Sequence, residues 1–163
     1  MENHLWKINK EKLSKTNLVL YSNFIKKQYK INSNNNFNKI WKWSVDHPKM
    51  FWESIWNFSR VKGNIGNILL EESDIFYKNK FFPEAKLNYA ENLLKKNNED
   101  PAVVFRSENG YKNTLSWKDL NSKVVLISDW MRFSGIKKGD RVTAYLPNIP
   151  EAVTAYLATF VLV

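Results

Sequence analysis

Three groups of residues in this chain could carry chemistry. Two histidines, His4 and His47, are far apart and show neither HxxxH nor HxH spacing, the arrangements that put two imidazoles on one metal. Each reads as a surface or helix-entry residue. The run Lys62-Gly63-Asn64-Ile65-Gly66-Asn67 sets two glycines three apart, a fragment of the pattern by which backbone amides cradle a phosphate. No GxxxxGK[ST] comes after it and no strand clearly precedes, so the run reads as a plain loop. The third group is aromatic: Phe37, Trp41, Trp43, Phe51, Trp52, Trp56 and Phe58, interspersed with lysines. Such a ladder could stack on single-stranded bases. The helical spacing of Phe51, Ile55 and Phe58 favours a packed helix instead.

Cysteine is absent, which excludes a disulfide framework, a thiolate nucleophile and a cysteine metal site. The 163 residues carry 25 Lys and Arg against 16 Asp and Glu, a net charge of +9. A basic balance invites a phosphate partner, but the lysines are spread along the chain and alternate with acids, which reads as a solvated surface. A basic nucleic-acid-binding module is therefore a disfavoured alternative. With 44% hydrophobic and 15% aromatic residues the chain has the means to build a core. Met1-Glu2-Asn3-His4-Leu5-Trp6 lacks the apolar run of a signal peptide. The apolar C-terminal stretch is broken by Pro147, Pro150 and Glu151, and the run after Glu151 is shorter than the roughly 20 residues of a membrane span. The sequence thus implies a cytoplasmic protein with no membrane partner.

The elements that would position these residues begin with a helical pattern over residues 13 to 30. Leu20, Phe24 and Gln28 form one stripe, with Tyr21, Ile25 and Tyr29 beside it. Ile31 to Asn36 is a polar loop. Asp46 is expected to cap a helix with Pro48 in its first turn, where the missing amide hydrogen costs nothing. Asn88 and Glu91 have the spacing of a capping box ahead of Leu93-Leu94. Ala102 to Arg106 and Tyr111 to Leu115 are expected as strands joined through Asn109-Gly110. Ser116 and Asp119 open a helix whose Leu120, Val124, Ile127 and Met131 share one face, and Gly135 closes it. A strand over residues 141 to 146 and a helix from Glu151 onward complete the pattern. Strand, helix, strand, helix is the start of a layered α/β domain. The last helix carries Phe160-Val161-Leu162-Val163 with no glycine, asparagine or basic last turn. It reads as a helix whose apolar end needs a partner surface, cut inside a structural unit.

Gly135-Ile136-Lys137-Lys138-Gly139-Asp140-Arg141-Val142, running into Tyr145-Leu146-Pro147-Asn148-Ile149-Pro150-Glu151-Ala152-Val153, resembles the early core segment of adenylate-forming acyl-CoA synthetases. Phe82-Pro83-Glu84-Ala85-Lys86-Leu87-Asn88-Tyr89-Ala90-Glu91-Asn92-Leu93-Leu94 resembles the signature of the acetoacetyl-CoA synthetase branch. Trp43-Ser44-Val45-Asp46, Phe51-Trp52, Trp56 and the opening Leu5-Trp6 fit the same branch.

The resemblance implies a helical N-terminal region over residues 1–96, then the truncated start of an AMP-binding α/β core over residues 97–163. The reaction it implies joins acetoacetate to AMP and passes the acyl group to coenzyme A, with ATP, magnesium and coenzyme A as the full-length family's cofactors. The phosphate loop, nucleotide and metal contacts, coenzyme A contacts and catalytic lysine of the family all lie beyond the matched stretch. No catalytic, cofactor-binding or metal residue is therefore assigned here. An N-terminal fragment, inactive alone, is implied, with a non-catalytic docking partner for a separately encoded remainder as the alternative. Two departures stand out. Glu84 occupies a position where the family usually has glycine, costly if that backbone is left-handed. Phe160 to Val163 replaces a continuation rich in small residues and glycine. Together the two departures suggest a degraded or frame-shifted copy, or a gene-model fragment.

Overall fold

The first helical pattern, expected as one helix, forms as two. In the computed structural model, which describes residues 8–162, α1 spans Lys10–Ser14 and α2 spans Asn17–Tyr29. The break falls at Thr16, whose extended backbone leaves its hydroxyl free to accept from the Val19 N–H, the capping geometry that competes with helix continuation. His4, Leu5-Trp6 and Val163 lie outside the described residues. The described chain divides into two units. One comprises the residues up to Val61 together with Ile65–Ala85, the other Lys62–Asn64 together with Lys86 onward.

In the first unit α2 is followed by α3, Phe37–Asp46, and α4, Pro48–Phe58. Their core is Tyr21, Ile25, Ile40 and Trp43, with Phe24, Tyr29, Phe51, Ile55 and Phe58 packed against it. The inward stripe of α2 is therefore the one through Tyr21 and Ile25, while Leu20 is exposed. Asp46 caps nothing at the start of α4. It closes α3 and pairs with Lys42 at 3.2 Å, and the N-cap is His47, whose side chain makes no capping bond. Pro48 takes the expected first-turn position. Two very short strands, β1 (Leu70–Glu71) and β2 (Lys80–Phe81), pair antiparallel around a 3₁₀ turn at Phe76–Lys78.

The second unit starts with α5, Tyr89–Leu93, then an antiparallel hairpin of β3 (Pro101–Arg106) and β4 (Lys112–Ser116) in the register Val103–Leu115 and Arg106–Lys112. Gly110 sits in the turn at φ 83°. Next come α6, Trp117–Phe133, and α7, Pro150–Val161. Ser116 and Asp119 form a reciprocal capping box at the start of α6. At its end Gly135, φ 87°, allows the Ile136 N–H to reach the Met131 carbonyl at 3.1 Å, the closing bond of a Schellman motif. At α5 the box is only half made. Asn88 accepts from the Glu91 N–H at 3.0 Å, whereas the Glu91 carboxylate lies 3.8 Å from the Lys62 ammonium.

Ala90, Leu120, Val124, Met131, Leu157 and Ala158 form the core of this unit. Phe160, Val161 and Leu162 pack against it, which corrects the expectation that the apolar end of α7 lacks a surface. Helices α5 and α6, which precede it in the chain, supply one. The expected strand over 141–146 does not form. A strand exists only with a partner ladder, and the two strands of this unit's described residues pair with each other. The observed sheets are small and antiparallel, set among helices.

Candidate functional site

The two glycines of the candidate phosphate loop are both consumed by close packing. Gly63 has φ 151°, and a Cβ placed on it would meet the Leu87 Cβ and the Lys86 carbonyl oxygen at 2.7 Å. Its neighbour Asn64 exchanges two backbone hydrogen bonds with Lys86, each 2.8 Å. Gly66 has φ 79°, and a Cβ there would stand 2.6 Å from the Glu84 Cβ. A cradle needs open space above its amide groups. Here Leu87 and Glu84 fill that space, so the loop does not fit a nucleotide phosphate.

Glu84 itself is not left-handed; the positive φ in this stretch belongs to Phe82, at 49°. The cost expected for replacing a glycine at 84 therefore does not arise. Instead the Glu84 carboxylate accepts from the Asn67 N–H at 2.8 Å.

His47 is the hinge between α3 and α4, at φ −136°. Among the described residues no group of three His, Asp or Glu side chains is placed to hold a metal ion. The aromatic ladder is mainly a core. Trp43 packs edge-on against Phe51 at a centroid distance of 5.8 Å, and Trp52 and Trp56 lie tilted against Phe81 and Phe82 at 5.7 and 5.4 Å. The Trp43 Nε1 is buried with no hydrogen-bond partner among the described residues. Trp41 points outward.

Tyr21 is the most constrained polar group of this cluster. Ser54 donates to the Phe51 carbonyl oxygen at 2.6 Å, so the Tyr21 hydroxyl is the donor in its 2.5 Å bond to Ser54. Burial pushes the Tyr21 hydroxyl above its ordinary pKa.

In the second unit the residues that could meet another surface lie along 142–146 and α7. Val142, Ala144 and Leu146 face Ala152, Ala155, Tyr156 and Thr159 across an open recess of about 300 Å³. Tyr145 is fully exposed. The recess is apolar on both sides and contains no acid, base or nucleophile beyond two hydroxyls. It can bind or be covered, and it has no group to move a proton at neutral pH. Sequence reasoning placed these apolar residues in a strand and did not foresee the recess, which depends on how 142–146 lies along α7.

Residues 90–162 match the model of the AMP-binding enzyme family, so most of the second unit resembles part of a protein of that family. Within that class the chain is a relative of the acetoacetyl-CoA synthetases. It is 40% identical over 117 residues to the acetoacetyl-coenzyme A synthetase of Rhizobium meliloti, covering 72% of this chain and 18% of that one. It is 35% identical over 127 residues to the enzyme of Xenopus tropicalis, covering 76% and 19%. The solved structure of acetoacetyl-CoA synthetase from Streptomyces lividans superposes with a TM-score of 0.77 at 26% identity, over 96% of this chain and 25% of that one. The chain spans about a fifth of the length of the curated relatives it matches.

Proposed function

We propose that this chain is the N-terminal part of a cytoplasmic acetoacetate-CoA ligase, which converts ATP, acetoacetate and coenzyme A to acetoacetyl-CoA, AMP and pyrophosphate through an acyl-adenylate. Residues 1–96 are its helical N-terminal region and residues 97–163 open its AMP-binding domain. The observation that carries the reading is the pairing of 40% identity over most of this chain with coverage of only 18% of the relative. Its role is scaffolding. Helices α6 and α7 and the β3–β4 hairpin build one flank of the core, and the groups that bind nucleotide, metal and coenzyme A belong to the remainder.

The test is pyrophosphate release dependent on acetoacetate and coenzyme A. The expected outcome for the pure 163-residue protein is a rate equal to the no-enzyme control; turnover above it overturns the scaffold reading. Co-expression with the remaining segment of a relative should restore the activity.

The recess of Val142, Ala144 and Leu146 beside α7 favours one second reading, a non-catalytic partner docking onto a separately encoded remainder. Co-purification of a second chain bearing a phosphate loop distinguishes the two.

A further inference from the structure

The net charge is concentrated in one stretch, which corrects the reading of the lysines as evenly spread and alternating with acids. Residues 12 to 45 hold seven lysines and no acid, leaving 18 basic and 16 acidic residues for the rest of the chain. All seven lysines are exposed. Lys15 and Lys42 pair with Glu11 and Asp46, which lie just outside the stretch. Lys12, Lys26, Lys27, Lys30 and Lys39 make no ion pair among the described residues. Elsewhere the two signs alternate and neutralise each other.

The same stretch shows apolar side chains that the core does not use. Helix α3 buries Ile40 and Trp43 on one face, yet presents Phe37, Trp41 and Val45 at four-residue spacing on the other, 64, 59 and 60% exposed. Leu13 of α1 and Leu20 of α2 are also outward, at 42 and 46%. Lysines with outward Trp, Phe and Leu are the composition of segments that lie in a lipid headgroup region: the rings and aliphatic chains enter the acyl boundary while the ammonium groups remain among phosphates.

We propose that α1 to α3 form a peripheral docking surface for an anionic phospholipid bilayer. Charge complementarity selects the occupant, because an uncompensated cationic stretch is attracted to the negative surface potential of such a membrane and not to a neutral one. The aliphatic Leu13, Leu20 and Val45 favour a bilayer over a single-stranded nucleic acid, since they offer no stacking plane. No described helix is long and apolar enough to cross the membrane, so the contact is with its surface.

The test is co-sedimentation of the full chain with phosphatidylcholine vesicles made with and without phosphatidylserine. Binding to the phosphatidylserine vesicles should exceed binding to the neutral ones by about tenfold or more and fall as salt screens the lysines. K26E/K27E should lower it by about tenfold, and W41S should lower it by about fivefold through the lost apolar insertion. Both variants change exposed side chains, and circular dichroism checks that they keep the wild-type helix content. K137E/K138E, outside the stretch, should leave binding unchanged. Equal binding to both vesicle types, no binding to either, equal loss from K137E/K138E, or binding to single-stranded oligonucleotide in place of vesicles overturns the proposal.

Discussion

Asn88 and Phe160, 72 residues apart, are joined by a side-chain hydrogen bond in which the Asn88 Nδ2 donates to the Phe160 carbonyl oxygen at 2.6 Å. The Oδ1 of the same amide accepts from the Glu91 N–H at 3.0 Å. One side chain therefore caps the start of α5 and the end of α7. An amide does both because it carries a donor and an acceptor.

Asn88→Asp keeps the acceptor at α5, removes the donor and sets a negative charge against the carbonyl end of a helix. It should destabilise the second unit by about 1–3 kcal/mol. Asn88→Ser, which also retains a cap acceptor, should cost less. Urea denaturation of the two variants beside wild type measures the difference.

Gly66→Ala places a methyl where the Glu84 Cβ would lie 2.6 Å away and forces a side chain onto φ 79°. Overpacking and backbone strain act together, so the cost should be about 2–4 kcal/mol. Glu84→Ala, which removes the acceptor for the Asn67 N–H, should cost about 1 kcal/mol. If the Gly66 variant proves as stable as wild type in thermal unfolding, the close approach is not a constraint.

Tyr21→Phe removes the hydroxyl that donates to Ser54 while Ser54 keeps its bond to Phe51, for an expected loss of about 1 kcal/mol. The pH dependence has a definite sign. The folded pKa of Tyr21 is raised above 10.0, chiefly by burial. The associated stability is fully present below pH 10 and is lost as pH rises through the folded pKa. Wild-type stability should fall through this alkaline window, and the fall should be smaller in Tyr21→Phe.

Asp119 has the opposite signature. Its bonds to the Ser116 hydroxyl and backbone N–H hold the carboxyl below its ordinary 3.8. The stability it brings is present above that pH and is lost as pH falls through the folded pKa. Asp119→Asn should flatten the acid limb of stability against pH, read by chemical denaturation at several pH values.

Leu157 is 1% exposed and packs in the core with Leu120, Val124 and Met131. Leu157→Ala should cost about 2–5 kcal/mol, the transfer loss plus a cavity. A change below 1 kcal/mol by urea denaturation would mean that α7 is not anchored through this side chain.

Local chemistry was legible wherever the partners are close in sequence. The Ser116 cap with Asp119 in the first turn, the turn at Gly110, the stop at Gly135, Pro48 in a first turn and the face of Leu120, Val124 and Met131 all form as the spacing predicts, because caps and helical faces are set within a turn or two; that Asp119 also reaches back to close a reciprocal box is the structure's addition. Asp46 failed because a cap residue can equally end the preceding helix, and Lys42, four residues away, offers it a partner there. The segment 141–146 failed because strand propensity yields a strand only when a second backbone is in place. Gly63 and Gly66 resembled a ligand loop because the side chains that fill them, Leu87 and Glu84, lie about 20 residues onward.

The end of α7 separates the two kinds of information. Residue order alone dictates a helix from Glu151 onward and that Phe160-Val161-Leu162 brings no cap of its own. Where the last carbonyls go was settled by folding: that of Phe160 accepts from Asn88 at 2.6 Å, and that of Val161 from the Arg132 guanidinium at 3.2 Å. Helix periodicity is a property of neighbours along the chain, whereas a free carbonyl accepts from whichever donor the tertiary structure brings to it.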